Sequence, residues 1–156
     1  MSHRSEKLAR YVRQSLTNQP LANEANVNRN RLLDEGFLRL REDIRREFEA
    51  QIDELKREPD CGNSLLCSFS GEKWSVFRID DKGLSLSIKF DSHERMVSIK
   101  SERPTKFSFY IKVDLVNSET DWYYSVGEKK SELSSSKKQV DWIVEKALYA
   151  LFGVET

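Results

Sequence analysis

One stripe of large apolar residues constrains this chain more than any other feature of its sequence. Seven such residues recur at steps of three or four between positions 33 and 55, which is the spacing of one face of an α-helix. Leu33, Ile44 and Leu55 are eleven residues apart, and an eleven-residue repeat keeps a stripe nearly parallel to the helix axis. The sequence therefore predicts a long amphipathic helix over residues 32–58, with the stripe Leu33, Phe37, Leu40, Ile44, Phe48, Ile52 and Leu55.

This stripe must be covered by other apolar surface. Burying one large apolar side chain contributes about 1.5–3 kcal/mol, so the stripe packs on the rest of the chain or on a second copy. The helix would be about 40 Å long, slightly longer than a sheet built from the remaining residues. We therefore expect part of it to pair with the same helix of a second chain, and the predicted interface consists of the stripe together with Trp142 and Tyr149.

Residues 64–153 have the pattern of a compact α+β domain. Apolar and polar residues alternate over residues 83–90 and 107–113, which indicates half-buried strands. Further strands are predicted at 65–70, 73–79, 95–100 and 122–126, and their short connections indicate a sequential antiparallel meander. A final helix over about 136–152 would pack on the sheet through one apolar face, consisting of Val140, Ile143, Val144, Ala147 and Leu151.

The predicted fold is α+β: a helical amino-terminal segment, an open antiparallel sheet of five to six strands, and a carboxy-terminal helix on one face of the sheet. Six strands followed by one amphipathic helix that contains Trp142 are loosely similar to a pleckstrin-homology-like barrel, with one strand too few. A barrel capped by the last helix is therefore the alternative fold. This likeness is one of architecture and carries no site residue to this chain.

The first 31 residues have six basic and two acidic side chains, although the whole chain has a formal net charge of zero. Asn18, Gln19 and Pro20 predict a break after a short helix, and four asparagines over residues 23–30 predict a linker. The segment is thus expected to be a partly flexible basic arm. Residues 1–19 also resemble a transit peptide in composition. The candidate anion-binding residues are Arg4, Lys7, Arg10 and Arg13.

No pattern in the sequence indicates catalysis, a metal site or a cofactor. The nucleotide-binding, hydrolase and metalloprotease motifs are missing, and the acids and serine around His93 are neighbours on a predicted turn, where side chains splay apart. The two cysteines, Cys61 and Cys67, do not have the spacing of a zinc motif. No stretch is apolar enough for a membrane-spanning helix or a secretory signal, so we expect a cytoplasmic, non-enzymatic protein.

Three functions fit this reading. The first is a protein-interaction or adaptor module that self-associates through its long helix, with a second copy or another protein as partner. The second is a nucleic-acid-associated protein that uses the basic arm. The third is a small-molecule or lipid binder with a pocket between sheet and helix, lined by Phe90, Phe107 and Phe109. The outer sheet face, rich in serine and lysine, is expected to be solvated or to offer a platform that binds phosphate or RNA.

Overall fold

The computed structural model describes residues 3–62, 64–135 and 140–154, and for residues 3–5 and 14–23 it describes the backbone alone. A long helix, α1 (His3–Arg57), precedes an antiparallel sheet, and a second helix, α2 (Val140–Leu151), follows it. The seven strands pair in their order along the chain, so the sheet is linear and open. They are β1 (Leu65–Ser68), β2 (Lys73–Arg78), β3 (Ser85–Asp91), β4 (Met96–Ser101), β5 (Phe107–Leu115), β6 (Trp122–Gly127) and β7 (Ser134–Ser135). The predicted α+β fold is confirmed, and the chain does not adopt the barrel.

Helix α1 differs from the prediction in its first half. The expected break near Pro20 and the expected linker over residues 23–30 are both wrong, because α1 is continuous from His3 to Arg57. A proline inside a helix costs about 3 kcal/mol. A helix that is already formed downstream nevertheless extends without a new nucleation step, and alanine and glutamate at positions 22, 24 and 25 favour that extension.

The predicted strands recur in the structure with small shifts of their ends, and the predicted apolar face of α2 is buried. The first residues of the expected final helix, 136–139, lie outside the described residues. Strand β7 is an addition to the prediction: Ser134 and Ser135 pair with Val126 and Ser125. Two serines carry no apolar alternation, so this strand rests on backbone pairing and leaves no pattern in the sequence.

The core lies between one face of the sheet and the two helices. Ile88 of β3 is opposite Trp74 on one side and Ile99 on the other, and all three side chains are buried. The alternate side chains of the same strands, such as Lys89 and Lys100, lie on the outer face and are exposed. The apolar alternation of the sequence thus corresponds to a sheet with one covered face.

Helix α1 lies very close to the sheet at Gly36. A Cβ atom at this position would lie 2.5 Å from Cγ1 of Val113 and 2.8 Å from Cδ2 of Trp122. Carbon atoms in contact normally lie about 3.5–4.0 Å apart. Glycine therefore lets the helix backbone rest directly on β5 and β6, although glycine is a poor helix former.

Candidate interaction surfaces

The structure places most of the predicted interface stripe inside the chain's own core. Five of its seven side chains are buried against the sheet, and the flanking Leu33 and Leu55 are half-buried against the same core. These side chains are already covered, so the assignment of the stripe to an interface with a second chain is corrected to intramolecular packing. The five buried residues are Phe37, Leu40, Ile44, Phe48 and Ile52.

The two aromatic residues of α2 that were assigned to the interface have different surroundings. Trp142 is half-buried, and its ring meets Phe109 edge-on with 6.2 Å between ring centroids. Tyr149 remains 38% exposed, and its hydroxyl donates a hydrogen bond of 2.8 Å to Oε1 of Glu145. This hydrogen bond and the charge of Glu145 raise the pKa of Tyr149. Of the two, Tyr149 is the one that presents an aromatic ring at the surface.

The first half of α1 projects away from the sheet. Every side chain over residues 24–31 is exposed, and burial begins at Leu32. From Leu32 towards the amino terminus, the helix continues for about 43 Å at 1.5 Å per residue. We call residues 3–31 the arm. Its first turns expose Leu8 (65%), Tyr11 (63%) and Val12.

Polar contacts hold the base of the arm against the β-sheet connections. Arg95 donates to Oδ1 of Asp34 at 3.2 Å and to Oδ1 of Asn30 at 3.4 Å. Arg29 forms an ion pair with Glu119, with 3.5 Å between the charged atoms. These contacts fix the direction in which the arm leaves the sheet.

The anion-binding candidates share the outer part of the arm. Lys7, Arg10 and Arg13 are exposed, and a spacing of three residues places them along one broad side of the helix. The side chain of Arg4 lies outside the described residues. The structure thus presents a basic side and an apolar patch on the same helical segment.

A groove of about 670 Å³ opens on the surface between the second half of α1 and α2. Gln51 joins the two helices at this groove, since its Nε2 donates a hydrogen bond of 3.0 Å to the carbonyl oxygen of Asp141. The apolar lining ranges from buried to exposed and consists of Leu55, Leu65, Leu148, Tyr149, Phe152 and Val154. The charged lining is wholly acidic and consists of Glu47, Glu54, Glu58, Asp141 and Glu145. We call this site the α1–α2 groove.

The acidic side chains of the α1–α2 groove have no basic partner within the part of the chain that the structure describes. Among the residues that the structure describes, none of the five carboxylates forms an ion pair with a lysine or an arginine. Arg78 lies beside the groove, with its guanidinium 5.1 Å from the centroid of the Phe152 ring, but Asp80 already pairs with it. The groove therefore combines exposed apolar surface with carboxylates that no described lysine or arginine pairs with.

The outer sheet face carries the serines and lysines that the sequence placed there. Lys89 lies opposite Lys73 on the neighbouring strand, and like charges in directly opposite positions destabilise a sheet. Lys100 lies over the ring of Tyr110, 5.1 Å from the ring centroid. A hydrogen bond with Lys100 lowers the pKa of Tyr110. The face is basic, and one aromatic ring accompanies its central lysines.

Three further observations bear on the classes of function. His93 is exposed in the connection between β3 and β4, and the described residues contain no group of three or more metal-ligating side chains. Among those residues, no helix is both long enough and apolar enough to cross a membrane. Comparisons with protein-family models, with curated proteins and with solved structures found no match to this chain.

Sequence reasoning missed the α1–α2 groove, although part of its signal was present. Glu47, Glu54 and Glu58 recur at i, i+7 and i+11, and Asp141 and Glu145 at i and i+4, so each set follows one helix face. The two stripes lie far apart in the sequence. Only the packing of α2 beside α1 brings them to one site.

Proposed function

We propose that this protein is a non-enzymatic interaction module that self-associates through α1. The observation that carries the proposal is the arm, a helical segment that leaves the sheet and exposes Leu8, Tyr11 and Val12 to solvent. A helix gains most of its stability in proteins from packing an apolar face, and the apolar face of the arm has no sheet beneath it. A second copy of the chain provides the missing surface.

The two alternative functions receive less support. A pocket between sheet and helix would need room around Phe90 and Phe109, but both rings are buried and stack edge-on against Trp74 and Trp142. Nucleic-acid association draws support from the exposed basic side of the arm. Such binding would weaken steeply as salt rises, because it releases counterions from the phosphates.

The test is the mass of the protein in solution. Sedimentation equilibrium of the full chain between 1 and 200 μM, about the range of weak to moderate association, should give a dimer that dissociates on dilution. Leu8→Ser together with Val12→Ser should raise the dimer dissociation constant at least about tenfold, which corresponds to about 1.4 kcal/mol. The thermal unfolding of these variants should be unchanged at concentrations where both proteins are monomers.

The matched control is Leu66→Ser, which removes an exposed leucine from β1, outside helix α1 and outside the lining of the α1–α2 groove. It should leave the dissociation constant unchanged. A wild-type chain that remains monomeric at 200 μM (about the upper end of the tested range) contradicts the proposal. A dimer that is indifferent to the two arm substitutions contradicts the role of the arm.

A further inference from the structure

The chemistry of the α1–α2 groove selects one kind of occupant. It offers exposed apolar side chains, among them Tyr149 and Phe152, beside five carboxylates without basic partners in the described chain. A groove of this composition fits an amphipathic helix that carries basic side chains next to its apolar face. Complementary charge of this kind steers association and excludes partners of the wrong sign.

The arm has this composition. Leu8, Tyr11 and Val12 lie at i, i+3 and i+4, so they form one apolar patch about one helical turn long. Lys7 and Arg10 flank that patch and are exposed. Residues 1–31 have an excess of four positive charges in a chain whose total charge is zero.

The arm cannot reach the groove of its own chain. Helix α1 is continuous between them, and the 41 residues from Arg10 to Gln51 span about 60 Å at 1.5 Å per residue. An arm that enters an α1–α2 groove therefore enters the groove of another molecule.

We infer that the α1–α2 groove is the docking site for the arm of a second copy of this chain, an inference that rests on the proposed self-association. Reciprocal docking makes the two α1 helices antiparallel, with a two-fold axis near residue 30, midway between the arm and the groove. Each chain contributes one arm and one groove, so the assembly closes at two chains.

Charge reversal tests this docking directly. One variant reverses the arm with Lys7→Glu and Arg10→Glu, and a second reverses the groove with Glu47→Lys, Glu54→Lys and Glu58→Lys, which leaves three lysines beside the carboxylates of Asp141 and Glu145. In each variant alone, arm and groove have the same sign, and we expect the dissociation constant to rise at least tenfold over the wild-type chain. In an equimolar mixture of the two variants, each arm meets a groove of opposite sign, so we expect a heterodimer within about threefold of the wild-type affinity.

The matched control is Glu102→Lys with Glu128→Lys and Glu132→Lys, which makes the same change in net charge at three exposed positions in the connections between strands, none of which belongs to α1 or lines the groove. It should dimerise like the wild-type chain and should not pair preferentially with the arm variant. Far-UV circular dichroism and thermal unfolding of each variant confirm that the fold is retained. The readout is sedimentation velocity of the full-length chains, with one variant carrying a fluorescent label in the mixture.

The outcomes separate this inference from the proposed function. Loss of dimerisation with Leu8→Ser and Val12→Ser, but not with the groove reversal, overturns the docking site and leaves arm-mediated self-association standing. Failure of the two reversed variants to pair with each other overturns the docking site as well. A monomeric wild-type chain removes the proposed function and the docking inference together.

Discussion

Replacing Gly36 with alanine sets two known effects of similar size against each other. In an exposed helix, glycine to alanine stabilises by about 1 kcal/mol, because alanine loses less backbone entropy on folding. At this position the added Cβ would lie 2.5 Å from Cγ1 of Val113 and within 3 Å of two ring atoms of Trp122. The overlap with the valine methyl is about 1 Å relative to normal carbon contact.

Neither neighbour can move aside at low cost. Val113 is 1% exposed within β5, and Trp122 packs against Tyr124 with 5.3 Å between ring centroids. Helix α1 must therefore shift away from the sheet, which loosens the packing of the adjacent stripe. Overpacking costs about 1–3 kcal/mol, and an overlap of about 1 Å with a buried side chain puts this site in the upper part of that range, at about 2–3 kcal/mol. After the gain of about 1 kcal/mol from helix propensity is subtracted, Gly36→Ala should lower the free energy of unfolding by a net value of about 1–2 kcal/mol. The melting temperature should fall by about 2–8 °C for a chain of this length.

Urea unfolding followed by circular dichroism measures the effect, with Ala50→Gly as the calibration. Ala50 is exposed on the same helix, so its change to glycine should cost about 1 kcal/mol through helix propensity alone. Adding Val113→Ala to Gly36→Ala removes the closest clash, and the two substitutions together should be less destabilising than the sum of each by about 1 kcal/mol or more. A Gly36→Ala protein that is more stable than the wild type would refute the close-contact argument.

Three further predictions concern the core and its edge. Ile44→Ala should lower the free energy of unfolding by about 2–5 kcal/mol to the same extent at every protein concentration, because Ile44 is buried within its own chain; urea unfolding at two concentrations checks this. Burial and the charge of Asp43 raise the pKa of Tyr124. The unfolded state, in which tyrosine titrates near pH 10, therefore loses the hydroxyl proton at lower pH than the folded state does. The free energy of unfolding should decline as the pH rises above about 10, and Tyr124→Phe should flatten this decline in urea unfolding at several pH values. Arg41→Lys should destabilise by about 0.5–2 kcal/mol in thermal unfolding, because the guanidinium stacks over the Phe90 ring at 4.6 Å and an ammonium does not reproduce this contact.

The parts of the fold that were predictable have a pattern imposed by burial. Strand β3 alternates because Leu86, Ile88 and Phe90 face the helices while the residues between them face outward. Helix α1 shows an apolar stripe because the sheet covers one of its sides over residues 32–57. Where one side of an element is buried and the other is wet, the sequence records which residues lie on which side.

The parts that were not predictable depend on long-range packing or on the backbone. Pro20 and the asparagines after it have local preferences that favour a break, but propagation of a stable helix overrides them. Strand β7 pairs through main-chain groups of two serines. The α1–α2 groove is lined by residues far apart in the sequence, such as Glu54 and Glu145, and the need for glycine at position 36 comes from side chains on β5 and β6. Neither the groove nor the role of Gly36 could therefore be found from a local window of sequence.

The position of α1 ahead of the sheet affects how the chain is made. The strands that cover its stripe all follow it, and the last covering element ends at Leu151. At about 5–20 residues per second, a ribosome takes roughly 5–20 s to add those strands and α2. During that time the helix exists without its sheet, and the apolar side chains of its stripe need other surface to keep them out of water until the strands are made. Once β2 and β3 emerge, each new strand adds to a sheet edge already in place, because every strand pairs with its immediate predecessor.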